Sequence, residues 1–217
     1  MKQKISCFCG SVFSEDIDEE INLSRKPEYL KQIIDGTFLN FTCSNCGKKH
    51  KPEFPLSVLW PSKKLRFEVF PELGRGEFYR KKKAPADKGP NAPETIIGYP
   101  EMADRLAVIR DGFEPLPVEA IKYFLHLKAE EQYPDGELDI WYFGFSSENE
   151  SSGEQASLEF HIHGMRENEV AVMKVPLSLY QKTLADYREN PKNEVFATLR
   201  IRNYLSVKNA MVPEALK

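Results

Sequence analysis

The clearest pattern along this chain is helical spacing of apolar residues. In KPEYLKQIIDG, Tyr29, Leu30, Ile33 and Ile34 share one face, Pro27 suits a first turn and Gly36 follows as a stop, so a short helix is expected. YPEMADRLAVIRDG sets Met102, Leu106 and Ile109 at helical spacing before Gly112, and LPVEAIKYFLHLKAEEQ sets Val118, Ile121, Phe124, Leu125 and Leu127 on a broad apolar face. The two form an expected helical hairpin. SLYQKTLADYREN, opened by Ser178 and closed before Pro191, is a further helix.

Elsewhere the pattern alternates and predicts strands. SVFSEDIDEEINL reads as one exposed strand, and TFLNFTC as a strand running into Cys43. SVLW and KLRFEVF read as strands divided by a turn at Pro61 and Ser62. LDIWYFGF, ASLEFHIHG and EVAVMKVP follow as antiparallel strands between polar loops, while VFATLRIRNYL fits a strand or a helix. The segment SSENESSGEQ is polar enough to expect disorder.

Punctuation divides the chain. KKKAPADKGPNAP, residues 81–93, holds three prolines and one glycine and almost nothing apolar, as a linker would. Charge changes at the same place: residues 1–91 carry 17 Lys and Arg against 12 Asp and Glu, and residues 92–217 carry 13 against 21. The expected organisation is an α+β protein. A zinc-ribbon-like β module with a short helix spans 1–80, a linker spans 81–93, and an α+β domain spans 94–217.

Composition narrows the class. With 41% hydrophobic and 29% charged residues, the chain fits a soluble globular protein. No apolar run approaches the roughly 18 residues that span a bilayer, and MKQKISCFCG has no apolar core of a secretory signal. A cytoplasmic location without membrane attachment is expected, where structural disulfides are rare.

That setting bears on the four cysteines, which fall in CFCG and CSNCG within the first 46 residues. A closed tetrahedral metal site needs four soft ligands from two tight turns that meet. Cys43 and Cys46 have Cys-x-x-Cys spacing. Cys7 and Cys9, at i and i+2 of an extended segment, point to one side. Gly10 and Gly47 permit the turns that follow. Cys7, Cys9, Cys43 and Cys46 are therefore the expected ligands of one structural Zn²⁺, whose closed shell leaves no position for a catalytic water. An iron–sulfur cluster also uses four thiolates. A redox pair would start a helix in a βαβ setting, which is not found here.

Three stretches, ISCFCGSVF, LKQIIDGTFLNFTCSNCGKKHKPEFPL and IIGYPEMADRLAVIRDGFEPLPVEAIKYFLHLK, resemble the CpXC family, a bacterial and archaeal domain, in order over roughly residues 4–130. In that family the first pair is Cys-Pro-x-Cys; here proline is absent and the pair is one residue shorter. The resemblance carries the same four cysteines over as ligands. It implies no catalytic residues, since the family is described as functionally uncharacterised.

Other chemistry is weaker. His161 and His163 lie on one face of a predicted strand with Glu159, which can mark a metal or enzyme site. A half-exposed strand has the same pattern. His50 follows the second pair and could replace a ligand or contact a thiolate, but with four cysteines already present it reads as a surface residue; His126 reads as a core or boundary residue of its helix. Lys48, Lys49, Lys51, Lys63 and Lys64 interleave with aromatics, as in single-strand nucleic-acid binders. A phosphate loop, a nucleophile elbow and an HExxH motif are all missing. The leading expectation is a non-catalytic protein that binds another protein, or itself. Nucleic-acid binding is the alternative, and an enzyme around His161 and His163 a third.

Overall fold

A computed structural model describes residues 2–80, 92–134, 136–147 and 155–212. The chain forms two compact units, Met1–Ala103 and Asp104–Lys217. The expected linker lies outside the described residues except for 92 and 93, as does most of SSENESSGEQ.

The first unit opens with a hairpin, β1 (Lys2–Ser6) antiparallel to β2 (Val12–Asp16). The single strand expected from Val12 onward is divided: β3 (Glu20–Asn22) is a separate strand in another sheet. Helix α1 (Pro27–Ile34) begins at its proline and buries Ile33. A second, smaller hairpin joins β4 (Phe41–Thr42) to β5 (Lys49–His50). The strand expected over residues 37–43 shrinks to two residues because Leu39 takes a positive φ of 50°, which breaks the extended run.

Strands β6 (Leu56–Trp60) and β7 (Leu65–Phe70) pair antiparallel across a 3-10 turn at Pro61–Lys63. A short helix α2 (Arg75–Arg80) and β8 (Glu94–Ile97) complete the unit before α3 (Tyr99–Arg110) begins. The sheet is mixed: β3 runs parallel to β6, and β7 parallel to β8. Its buried face carries Ile21, Val58, Phe67, Val69 and Ile96, on one side across the ladder.

In the second unit the end of α3 precedes α4 (Pro115–Gln132), the expected helical hairpin. Three antiparallel strands follow: β9 (Asp139–Ser146), β10 (Ser157–His163) and β11 (Val170–Pro176), with β10 central. Leu158, Phe160 and Ile162 of β10 alternate inward and are buried. Helix α5 (Leu177–Glu189) packs on α4 and β11. The ambiguous VFATLRIRNYL contains both structures: α6 (Glu194–Thr198), then the two-residue strands β12 (Arg200–Ile201) and β13 (Tyr204–Leu205), before α7 (Lys208–Met211).

Helix α4 departs from its apolar pattern. Val118 and Ile121 are buried as expected, but Phe124 is 51% and Leu127 39% exposed, while Glu119 and Lys122 are inside. Charge pairing reverses the order. Lys122 Nζ sits 2.6 Å from Glu119 Oε1 and 2.8 Å from Asp104 Oδ2. Glu119 Oε2 accepts the Val207 N–H at 2.7 Å, and Arg105 Nη2 donates to the Leu205 carbonyl at 2.7 Å. Burial raises the Asp104 carboxyl above the usual range. Burial also disfavours the Lys122 charge, but the two carboxylates outweigh it and hold the ammonium protonated. The quartet thereby fastens residues 205–207 to the helical hairpin.

Candidate metal centre

The two small hairpins of the first unit carry the four cysteines. Cys7 and Cys9 lie in the β1–β2 loop, and Cys43 and Cys46 in the β4–β5 loop. The backbones follow one plan. The Cys7 N–H donates to the Ser11 carbonyl and the Gly10 N–H to the Cys7 carbonyl, at 2.8 and 2.9 Å. The Cys43 N–H donates to the Lys48 carbonyl and the Gly47 N–H to the Cys43 carbonyl, both at 2.9 Å. In each loop the first cysteine bonds to the glycine and to the residue after it. Gly10 and Gly47 have φ of 86° and 71°, a conformation that a Cβ would strain. The shorter first pair is thus absorbed between Cys7 and Cys9, and the turn that ends in glycine is kept.

The two loops meet at their sulfurs. Cys7 Sγ is 3.5 Å from Cys46 Sγ, Cys9 Sγ is 3.9 Å from Cys43 Sγ, and all four lie within 4.8 Å of one another. Among the described residues this is the one group of three or more possible ligands close enough to share an ion. Cys7 and Cys43 are buried, and Cys9 and Cys46 exposed.

Neighbouring groups tune the thiols unequally. Ser11 Oγ lies 3.1 Å from both Cys9 Sγ and Cys43 Sγ, and Asn45 Nδ2 donates to Cys9 Sγ at 3.5 Å. The Ser11 hydroxyl, with Asn45, holds the Cys9 thiol down to about 5. Ser11, helped by the Cys46 backbone N–H, also lowers Cys43. The Cys9 N–H favours a thiolate at Cys7, but burial and hydrogens shared with the other three sulfurs outweigh it and push Cys7 up to about 12. Without a cation the set therefore holds both thiolate and thiol, and a cation at its centre would favour all four as thiolates.

His50 belongs to this site rather than to the open surface. Its Nε2 stands 3.2 Å from Cys7 Sγ, its ring stacks beside Phe8 at 6.1 Å, and Phe13 meets it edge-on at 6.0 Å. Its place on β5, across the ladder from Phe41, turns the ring toward the first loop. The sequence signal was its position three residues beyond Gly47.

The other predicted positions do not join the site. Lys48, Lys49 and Lys51 are exposed around β5, whereas Lys63 and Lys64 are exposed on the separate turn between β6 and β7. In the second unit, Nε2 of His161 is 3.0 Å from Glu159 Oε1, and its ring stacks on Phe143 at 3.9 Å. His163 is exposed at the end of the same strand.

The CpXC protein family model matches residues 5–122, more than half of the sequence and all four cysteines. This chain belongs to the CpXC family. The CpXC match runs past the first unit and ends in α4 at Lys122. An uncharacterized protein of Treponema pallidum (strain Nichols) is 28% identical over 223 residues, covering 95% of this chain and 97% of that protein. The likeness to it therefore extends beyond the CpXC segment to nearly the whole chain. No solved structure matches. Among the described residues, no helix is long and apolar enough to cross a membrane.

Proposed function

We propose that this CpXC protein binds one structural Zn²⁺ through Cys7, Cys9, Cys43 and Cys46 and serves as a non-catalytic protein-binding module. The observation that carries the metal reading is the sulfur spacing. Zn–S bonds of about 2.3 Å place tetrahedral sulfurs about 3.8 Å apart; Cys7–Cys46 and Cys9–Cys43 here are 3.5 and 3.9 Å, and all four sulfurs lie within 4.8 Å of one another. In an iron–sulfur cluster the thiolates cap separate irons of a larger iron–sulfide core, so the four do not all close on one centre. A four-thiolate shell leaves no site for substrate, which supports a structural role.

That role meets a physical need. Two-stranded hairpins are marginal alone in water, and the β4–β5 ladder has only two residue pairs. A cation bonded to both loops would fasten the hairpins together. Thiolates must stay reduced to do this, which supports a reducing compartment such as the cytoplasm.

Support for a protein partner comes from the second unit. On the outer face of the β9–β10–β11 sheet, Phe143, Val170 and Val172 are 60%, 45% and 56% exposed. An apolar patch on an otherwise acidic half fits a protein surface better than a polyanion. The test combines metal analysis with chromatography. Bound zinc, with passage through a polyanion column at moderate salt, supports the reading. Salt-sensitive retention lost in a Lys48→Glu, Lys49→Glu, Lys51→Glu variant would replace protein binding with nucleic-acid binding.

A further inference from the structure

A cavity of about 410 Å³ opens in the first unit, away from the cysteines. Its size is within the range of small-molecule sites, roughly 300–1,000 Å³. Ile33, Phe38, Tyr99, Pro100, Met102 and Ala103 form an apolar bowl between the end of α1 and the start of α3. Phe38 and Tyr99 stand 6.0 Å apart, centroid to centroid, as two aromatic walls.

The polar groups of the wall are engaged, with one exception. The Tyr99 hydroxyl donates to the Phe54 carbonyl at 3.1 Å and accepts the Phe54 N–H at 3.0 Å. Glu53 accepts the Tyr99 N–H at 2.7 Å through Oε1 and the Glu72 N–H at 2.6 Å through Oε2, so each oxygen already faces a backbone donor. Lys51 lines the cavity too. It is exposed, and among the described residues it makes no ion pair. Its Nζ lies 3.6 Å from where a Cβ on Gly36 would stand, so the ammonium reaches across the glycine to the rim of the bowl.

We propose that this cavity binds a small aromatic or branched monocarboxylic acid. The apolar group fills the bowl and the carboxylate pairs with Lys51 at the mouth. Apolar walls supply burial, and one uncommitted cation supplies the preference for an anionic end. Glu53 sits beside Lys51, yet its two oxygens face the backbone, so Lys51 is the charge that meets the ligand. The site is independent of the metal reading.

Phenylacetate and its uncharged analogue phenylacetamide test it, by titration into ¹⁵N-labelled protein as purified. Phenylacetate should shift the amides of Gly36, Phe38 and Met102 in a saturable manner. Phenylacetamide should bind about fivefold more weakly, the upper end for an exposed charge pair. In Lys51→Gln the two should bind alike. No saturable shift at these amides, equal affinity of acid and amide in the wild type, or an unchanged preference in Lys51→Gln would each overturn the proposal.

Discussion

Cys7 and Cys46 are 39 residues apart in the chain, yet their sulfurs stand 3.5 Å from one another. No helix or shared strand holds them there; each sits on the loop of its own hairpin. If a cation bridges the loops, Cys46→Ser should cut metal affinity and loosen both hairpins at once. Amide exchange over residues 2–16 and 41–50 should then quicken together, although the substitution lies in the second hairpin alone.

Ser11 reaches two of the proposed ligands with one hydroxyl, 3.1 Å from both Cys9 and Cys43. Groups that orient ligands typically contribute about 10- to 100-fold in metal affinity. Ser11→Ala should fall toward the lower end of that range, measured by competition with a chromophoric chelator, while the stoichiometry stays the same.

In metal-stripped protein the cysteines should react unequally. At pH 6.5, iodoacetamide should label Cys9 first, since its thiol is held down to about 5 and it is exposed. Cys7, buried and pushed up to about 12, should label last. Stability follows the same signs. The Cys9 contribution is complete above the ordinary thiol range and is lost as pH falls through about 5. The Cys7 contribution is complete below that range and is lost as pH rises through about 12. Peptide mapping of alkylated protein reads the order directly.

The buried quartet makes a prediction independent of the metal. Lys122→Met leaves Asp104 and Glu119 buried without their shared cation, which should cost about 3–5 kcal/mol in urea unfolding of the second unit. Adding Asp104→Asn, which can still accept the Tyr142 N–H, should recover part of that loss.

Much of this arrangement was legible in the sequence, and the failures have identifiable causes. Helices α1, α3, α4 and α5 announced themselves by spacing and by proline and glycine stops. That the four cysteines meet was legible from their paired spacing and the turn glycines. The strand at residues 37–43 was overread because alternation does not register Leu39's positive φ. The α4 face was misjudged because hydropathy ranks Phe124 above Lys122, whereas pairing with Asp104 and Glu119 buries the lysine. The parallel pairing of β3 with β6 and of β7 with β8 depends on contacts distant in sequence, which local periodicity does not encode. His50 looked like surface because its contact with Cys7 spans 43 residues.

Native mass spectrometry with elemental analysis of the purified chain tests the central claim most directly. One zinc per chain is predicted, falling to none when Cys7 and Cys9 are both replaced by serine. Iron with inorganic sulfide, or full zinc occupancy in that double variant, would contradict it.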